Sequence, residues 1–254
     1  LSLYIHIPFC ESLCYYCACN KIITKHPERA DEYLRYLGRE VDLHVQQIGA
    51  GQAVSQLHLG GGSPTFLSDE RLSELMAMLR RNFSLAPGGE YSIEVDPRTV
   101  TRDRLAHLAR LGFNRLSFGV QDFDPAVQKA VHRIQPAEQV FDLVAEARRI
   151  GFESINVDLI YGLPLQTPQS FAQTIAEVAD AWAPYLTMTE GITELKLGVG
   201  TDISNATAFE TFGISDKHAL FIGMGVVIAL FAVLAVGATT DVMPQGPTGP
   251  TGPQ

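Results

Sequence analysis

The sequence predicts an α/β protein built on a parallel sheet. Three observations carry this expectation. Short β-rich runs alternate with amphipathic helical segments, glycines stand where several helices end, and polar or glycine-rich residues follow the strands. With 254 residues, of which 46% are hydrophobic and 19% charged, the chain can form one large domain with a sizeable core. The expected architecture is a parallel sheet of βαβ units, either open or closed as a barrel.

Period-two and period-3.6 patterns place the elements in order. Predicted strands cover residues 1–7, 53–59, 90–95, 114–120, 154–160 and, with a weaker pattern, 185–188. Predicted helices cover 30–47, a segment capped by Ser68 that extends to Phe83, 101–111, 124–132, 136–150 and 169–178. Gly112 and Gly151 suit the position just after a helix, where a left-handed residue is common.

Polar and glycine-rich residues stand at the C-terminal ends of five predicted strands. A cysteine loop follows the first strand and the glycines 60–62 follow the second, while Glu94, Gln121 and Asp158 stand at the next three ends. Loops at these ends carry the chemistry of parallel α/β barrels. Any single strand end collects turns and polar residues, but five together favour one shared site.

The four cysteines of the chain are Cys10, Cys14, Cys17 and Cys19. Cysteines this close together do not form a disulfide framework between separate loops, so their clustering indicates metal ligation or catalysis. Thiolates select iron–sulfur clusters or zinc. The Cys-x3-Cys-x2-Cys spacing favours a [4Fe–4S] cluster with one open iron. A four-cysteine structural zinc site is the alternative, although such sites usually draw ligands from separated segments.

The net charge and the C-terminal sequence bear on two kinds of binding partner, nucleic acid and membrane. The formal net charge is −9, with no basic stripe, which argues against general nucleic-acid binding. Residues 189–218 read as a polar linker and 239–254 as a disordered Gly-Pro-Thr tail. Residues 219–238 contain no charge and are predicted to form a transmembrane helix roughly 30 Å long. A buried core helix is the alternative for that segment.

Flanking residues and the cysteines suggest a location. Lys217 and His218 precede the apolar segment and Asp241 follows it, so residues 1–216 are expected on the cytoplasmic side, tethered by 219–238. An iron–sulfur cluster also implies a reducing compartment. Because the chain begins at Leu1, inside a predicted strand, we expect a fragment or a processed form.

Five separated runs resemble the radical S-adenosylmethionine (SAM) superfamily and, more narrowly, the oxygen-independent coproporphyrinogen III oxidases of haem biosynthesis. They span residues 4–21, 56–65, 92–98, 118–123 and 156–164, so the resemblance covers about 1–182. A related haem-trafficking branch shares the cysteine loop and the glycine run. Cys19 and the runs Glu-Val-Asp-Pro-Arg and Gly-Val-Gln-Asp-Phe favour the oxidase branch.

The resemblance implies a partial, TIM-like (β/α)6 barrel over residues 1–188 and a set of cofactor contacts. It assigns Cys10, Cys14 and Cys17 as cluster ligands, with Cys19 nearby but not ligating. The implied contacts of one SAM molecule are Tyr4, Tyr16, Gly61 and Glu94. Those of a second SAM molecule are Gly62, Ser63, Gln121, Arg133 and Asp158. No acid or base catalyst is assigned, and His6 and His58 are expected in the barrel interior.

The implied reaction is oxidative decarboxylation of coproporphyrinogen III propionates to vinyl groups. It begins with reductive cleavage of SAM and requires an electron donor, while the protein orients the reactants and excludes water. The resemblance ends near residue 182, before the C-terminal stretch that covers the family's site, so a pocket more open to solvent is expected. An enzyme that is inactive as truncated is one alternative. A haem-trafficking or haem-binding protein, or a non-functional membrane-tethered fusion, is another.

Overall fold

The computed structural model describes residues 1–182, which form an α/β fold around a main parallel sheet. In chain order its strands are β1 (Ser2–Ile7), β2 (Phe9–Cys10), β3 (Ile22–Ile23), β4 (Gln52–Gly61), β5 (Phe83–Val95), β6 (Arg115–Gln121) and β7 (Ser154–Leu159). The helices are α1 (Arg29–Ile48), α2 (Asp69–Asn82), α3 (Arg102–Arg110), α4 (Pro125–Ala130), α5 (Ala137–Ile150) and α6 (Pro168–Trp182). The prediction of a parallel α/β sheet is confirmed.

The main sheet has the order β1-β4-β5-β6-β7, and every neighbouring pair is parallel. Each strand therefore lies beside the next main-sheet strand of the chain, with at least one helix in the connection. Right-handed crossovers repeated in one direction place the helices on one face of such a sheet. The core lies between the sheet and these helices and includes Leu59, Met76, Leu105, Phe118 and Val144.

Residue alternation gives the two faces of the sheet different chemistry. In β6, Leu116, Phe118 and Val120 are buried against the helices, whereas Ser117 and Gln121 lie on the opposite face. A period of two is expected because successive side chains of a strand point to opposite faces. The face of the sheet that carries no helix within residues 1–182, called the helix-free face, is therefore polar and available for a site.

Local capping explains where several helices begin and end. The Ser68 hydroxyl accepts from the Arg71 amide at the start of α2, and the Thr101 hydroxyl accepts from the Arg104 amide at the start of α3. Gly112 and Gly151 follow α3 and α5 with φ of 93° and 106°, in the left-handed region that glycine adopts without a Cβ clash. The predicted Ser68 cap and the two predicted glycine stops are confirmed.

Strand β5 is longer than the predicted 90–95. The Pro-Gly-Gly sequence at 87–89 predicts a turn, but pairing with β4 continues on both sides of it, and the register shifts between Val54 and Gln56. The Tyr91 hydroxyl donates to the carbonyls of Val54 and Ala86, at 3.1 and 2.6 Å, and so ties the irregular segment to the sheet. The turn residues form a bulge within a continuous strand.

Strands β2 and β3 form a two-stranded sheet that the sequence pattern does not predict. Phe9 pairs with Ile22 and Cys10 with Ile23, so the chain closes on itself at the two ends of the cysteine loop. The Thr24 amide donates to the Cys10 carbonyl at 2.9 Å. This small sheet fixes the span within which the four thiols lie.

Several predicted segments lie outside the described residues: the sixth strand at 185–188, the linker 189–218, the membrane span 219–238 and the tail 239–254. Within residues 1–182, no helix is both long and apolar enough to cross a membrane.

Candidate metal centre and cofactor cavity

A cavity of about 340 Å³ opens at the C-terminal ends of the main strands. Every site residue predicted from the sequence lines it except Tyr4: Cys10, Cys14, Tyr16, Cys17, Gly61, Gly62, Ser63, Glu94, Gln121, Arg133 and Asp158. Parallel strands bring their carboxyl ends to one edge of a sheet, which explains how residues so far apart in sequence meet.

The cysteine loop places all four thiols along this cavity. Cys14 is buried and Cys19 is exposed, whereas Cys10 and Cys17 are half-buried, and none of them forms a disulfide. The Lys21 ammonium donates to the carbonyls of Cys17 and Cys19, at 2.7 and 3.3 Å, and so holds the end of the loop. The loop thus presents thiols of graded exposure to one enclosed space.

The same loop docks on the turn after α4. The Tyr15 amide donates to the Val131 carbonyl at 3.0 Å, and the Tyr15 ring stacks on His132 with 5.3 Å between centroids. His132 Nδ1 lies 2.9 Å from the Leu13 carbonyl. These contacts bring residues 131–133 beside the cysteines.

Burial and the neighbouring Cys17 and Cys14 thiols raise the pKa of Cys10 to about 11. The thiol is therefore neutral at neutral pH in the absence of a metal cation, whereas a coordinated metal deprotonates it outright. Within residues 1–182, no three His, Cys, Asp or Glu side chains converge on a single ion. Three thiolates bound to three different irons of a cube have no need to converge in that way.

Glycines 61 and 62 let the backbone of β4 approach the cysteine loop. Gly61 has φ of 116°, and a Cβ there would lie 2.7 Å from the His6 ring. A Cβ on Gly62 would lie 2.8 Å from the Phe9 carbonyl oxygen, just before Cys10. The Gly62 and Ser63 amides instead donate to the carbonyls of Ile7 and Phe9, both at 2.8 Å. Only glycine permits this contact.

Two carboxylates of the cavity are held by a backbone amide, an imidazole and a hydroxyl group. Glu94 accepts from the Gly61 amide at 3.1 Å and lies 3.3 Å from His58 Nε2. Asp158 accepts from the Ser117 hydroxyl at 2.9 Å. Burial raises the pKa of Asp158; the Ser117 hydrogen bond opposes this effect and the charge of Glu94 adds to it. Both side chains are acceptors suited to ammonium or hydroxyl donors.

A third carboxylate, Asp96, is paired with two guanidinium groups. Arg98 Nη2 lies 2.7 Å from Asp96 Oδ2, and Arg133 Nη2 lies 3.3 Å from Asp96 Oδ1. Burial raises the pKa of Asp96, but the Arg98 hydrogen bonds and the charges of both arginines outweigh it and hold that pKa below its usual value. Asp96 is therefore a fixed anion within the wall of the cavity.

Gln121 adopts a backbone conformation that is unusual for its residue type. Its φ is 70°, and the β6–β7 register shifts between Gly119 and Gln121. A non-glycine residue in the left-handed region costs on the order of 1–3 kcal/mol and is common where a chain positions a functional group. The bulge turns the Gln121 side chain into the cavity.

Tyr4 lies outside the cavity lining. Its side chain is 58% exposed, stacks on His58 with 5.7 Å between centroids, and places its hydroxyl 3.1 Å from His6 Nδ1. His58 in turn contacts Glu94, so Tyr4 reaches the cavity only through a neighbour. His6 and His58 both contact Tyr4, and their expected place in a barrel interior stays a prediction.

Sequence reasoning did not single out Asp96, Arg98, Ser117 or Lys21, which also line the cavity. Asp96 and Arg98 belong to the Glu-Val-Asp-Pro-Arg run, which carries the family resemblance without indicating a role for its charged side chains. Ser117 faces the cavity by strand alternation, two residues before Gly119. A search for inward-facing polar positions on β6 would have found it.

Comparison with known proteins identifies the class. The family model of the radical SAM superfamily matches residues 4–178, and the chain belongs to this superfamily. Its members use a [4Fe–4S] cluster and SAM, so the predicted cofactors are confirmed for the family.

The relatives point to a particular activity. The chain is 55% identical over 180 residues to the oxygen-independent coproporphyrinogen III oxidase of Escherichia coli strain K12. The matched residues make up 71% of this chain and 39% of the relative. It is 53% identical to the enzyme of that name from Pseudomonas aeruginosa, again covering 39% of it. The solved structure of E. coli coproporphyrinogen III oxidase (HemN), described as a radical SAM enzyme, matches with a TM-score of 0.68 at 54% identity, covering 71% of this chain and 41% of that one. The chain thus spans about two fifths of the length of these relatives.

The cavity fits the cofactors of the superfamily on its own chemistry. Three thiols suit an iron–sulfur cluster, and the glycine run packs closely on the chain beside the cysteine loop, so that Gly61 and Gly62 line the same cavity as the thiols. Arg133 Nε is buried and has no acceptor among the described residues, so it can donate to an anionic group bound in the cavity. The individual ligand and SAM contacts stay predictions.

We expect Gly62→Ala to weaken both the fold and the metal site. The added Cβ must displace the Pro8–Phe9 backbone, which costs about 1–3 kcal/mol, and the displacement moves Cys10. Urea unfolding and the iron content after anaerobic reconstitution measure the two effects. Gly38→Ala is the control, because nothing lies within 4 Å of its Cβ on α1, and it should stabilise by about 0.5–1 kcal/mol. Parental iron content and stability in Gly62→Ala would contradict the packing argument.

Asp96→Asn should change how stability depends on pH. Because the folded-state pKa of Asp96 lies below its ordinary 3.8, its contribution is complete above that value and is lost as the pH falls through the folded-state pKa. At neutral pH we expect the variant to be less stable by about 3 kcal/mol, since two buried guanidiniums lose their partner.

The difference between the parent and Asp96→Asn should shrink in acid, which urea unfolding from neutral pH down to about pH 3 measures. Asp142→Asn is the control, because Asp142 pairs with Arg102 at the surface, where an ion pair contributes about 0–1 kcal/mol. An Asp96→Asn deficit that is constant over the whole pH range would refute this account.

Proposed function

We propose that residues 1–182 form the cluster- and SAM-binding part of an oxygen-independent coproporphyrinogen III oxidase. The observation that carries the proposal is one cavity lined by all four cysteines, by the glycines 61–62 and by the carboxylates of Glu94, Asp96 and Asp158. The 55% identity to the E. coli enzyme over 180 residues supports the same activity rather than a haem-trafficking role.

Cys10, Cys14 and Cys17 would bind three irons of the cluster and leave the fourth open to SAM. Cys19 is exposed and lies at the end of the loop, which suits a residue beside the cluster rather than a ligand. Gly61 would approach the methionine part of SAM through its backbone, and Glu94 would accept from an ammonium or ribose hydroxyl. Tyr16, which lies on the cysteine loop, would contact the same SAM molecule.

The second SAM contact set would lie on the other wall of the cavity, formed by Gly62, Ser63, Gln121, Arg133 and Asp158. Arg133 binds Asp96 and the Gly119 carbonyl through its terminal nitrogens, at 3.3 and 2.6 Å. Its Nε hydrogen is what it can offer a ligand carboxylate. Asp158 would accept from hydroxyl groups.

When bound, the cluster and SAM would supply a radical that takes one hydrogen atom from a substrate propionate. Loss of CO2, together with transfer of one electron to an external acceptor, would then leave a vinyl group. The chain's residues orient these groups and limit the access of water. Coproporphyrinogen III as substrate and a one-electron donor as partner both follow from the relatives' activity. The partial six-stranded barrel would be completed by the predicted strand at 185–188.

Anaerobic reconstitution of the chain with iron and sulfide tests the proposal. We expect cluster absorbance, and after reduction and addition of SAM we expect 5′-deoxyadenosine; a chain that holds no cluster would overturn the assignment. Cys10→Ser, Cys14→Ser and Cys17→Ser should each lose most of the cluster. Cys19→Ser is the matched control and should keep it. Adding coproporphyrinogen III then distinguishes SAM cleavage alone from formation of the vinyl product.

Membrane attachment through 219–238, with residues 1–216 in the cytoplasm, stays a prediction. The sequence supports it because these twenty residues carry no charge. A chain ending at residue 216 should remain in solution without detergent, whereas the full chain should require it, as sedimentation after detergent removal would measure. Equal behaviour of the two chains would rule out the anchor.

A further inference from the structure

Two guanidinium groups approach the sulfur of one predicted cluster ligand. Arg98 Nη2 lies 3.8 Å from Cys14 Sγ, and Arg133 Nη1 lies 3.5 Å from the same atom. Both distances are within the range of N–H···S hydrogen bonds. Cys14 is the buried cysteine of the loop, so water competes little for this sulfur.

Asp96 fixes the orientation of Arg98. Arg98 Nε lies 2.9 Å from Asp96 Oδ1 and Nη2 lies 2.7 Å from Oδ2, so the pair is bidentate. The two side chains are only 21% and 11% exposed. A planar guanidinium held on one edge by a carboxylate keeps its remaining hydrogens in a fixed direction, here towards Cys14.

The backbone around this pair is equally constrained. Asp96 accepts from the Arg98 amide at 3.1 Å, and a short 3-10 turn, Pro97–Thr99, follows. Gln139 of α5 donates to the Pro97 carbonyl at 3.0 Å. Asp96 is also paired with the Arg133 guanidinium, which already supplies a countercharge to this carboxylate. Charge compensation of Asp96 therefore does not by itself explain why the Arg98 guanidinium also approaches Cys14 Sγ.

We propose that Arg98 is a positioning residue for the iron–sulfur cluster that tunes its reduction potential through Cys14. The inference rests on the proposed function, because it requires Cys14 to be a ligand. Reduction adds one electron from an external donor to the cluster and neither forms nor breaks a covalent bond. A positive hydrogen-bond donor at a ligand sulfur stabilises the more negative, reduced form, and so raises the potential.

The variants Arg98→Met, Arg98→Gln and Arg98→Lys separate the possible contributions. Methionine keeps much of the length of the side chain without a donor, glutamine keeps a neutral donor, and lysine keeps the charge without the planar fork. Arg71→Met is the matched control: the Arg71 side chain is 22% exposed and is also paired with one carboxylate, Asp31, away from the cavity.

The test reconstitutes the full chain anaerobically and titrates it with dithionite, following the reduced cluster by electron paramagnetic resonance. We expect Arg98→Met to shift the reduction equilibrium about tenfold towards the oxidised form, or about 59 mV for a one-electron couple. Arg98→Gln and Arg98→Lys should fall between the parent and Arg98→Met, and Arg71→Met should equal the parent.

Each outcome decides between the two proposals. A parent chain that holds no cluster would overturn the proposed function and this inference together. A loaded parent with the same potential in Arg98→Met would overturn the inference alone. If Arg98→Met loads no iron, Arg98→Gln decides in its place. A folded Arg98→Gln chain without a cluster would also count against tuning, because Arg98 would then act in cluster assembly.

Discussion

Charge pairing on the helix-free face of the sheet is the constraint on which the rest of the site depends. The alternation that buries one face of β5 and β6 against the helices places Glu90, Glu94 and Arg115 on the other face. Buried charges there must be paired, because an uncompensated ion is far more costly than a paired one. Asp96 meets this requirement by joining the end of β5 to Arg133, which follows α4, and to Arg98 beside the cysteine loop.

Glu94 and Asp158 differ from Asp96 in the groups that hold them. This difference distinguishes a structural role for Asp96 from ligand-binding roles for the other two carboxylates. Asp96 is saturated by two cations, so little acceptor capacity remains for a ligand. Glu94 and Asp158 are held by a backbone amide, an imidazole and a hydroxyl, and neither forms a bidentate pair with a guanidinium group as Asp96 does. A bound ammonium or set of hydroxyl groups can therefore gain more from these two than from Asp96.

The sequence was sufficient for the sheet and for most of the cavity lining, for identifiable reasons. Strand and helix periods differ, so the alternating elements and the parallel sheet could be predicted. The extent of β5 could not, because Pro87 and Gly88 are turn residues whose bulge is held by the tertiary contacts of Tyr91. Strands β2 and β3 have two residues each, too few for a periodic signal.

The polar partners were harder to predict than the ligands. Cys10, Cys14 and Cys17 can be predicted as ligands from their spacing, because that spacing is visible within one short stretch of sequence. Arg98 lies 84 positions from Cys14, and only the folded chain brings the two together. Tyr4 is the opposite case, a residue that local sequence assigns to the site and the fold places outside it. Its motif predicts a cofactor contact, whereas its ring stacks on His58 outside the cavity.

The cysteine loop owes its position to residues outside itself. Its ends are closed by β2 and β3, its middle docks on Val131 and His132, and the glycine run meets the backbone just before Cys10. His132 sits there with φ of 56°, a conformation that the surrounding contacts must enforce. The spacing of the cysteines can therefore predict which of them are ligands. The positions of the thiols relative to one another depend on all the segments that contact the loop at this edge of the sheet. A substitution that leaves every thiol intact, such as Gly62→Ala, is therefore expected to act on the metal site through that edge.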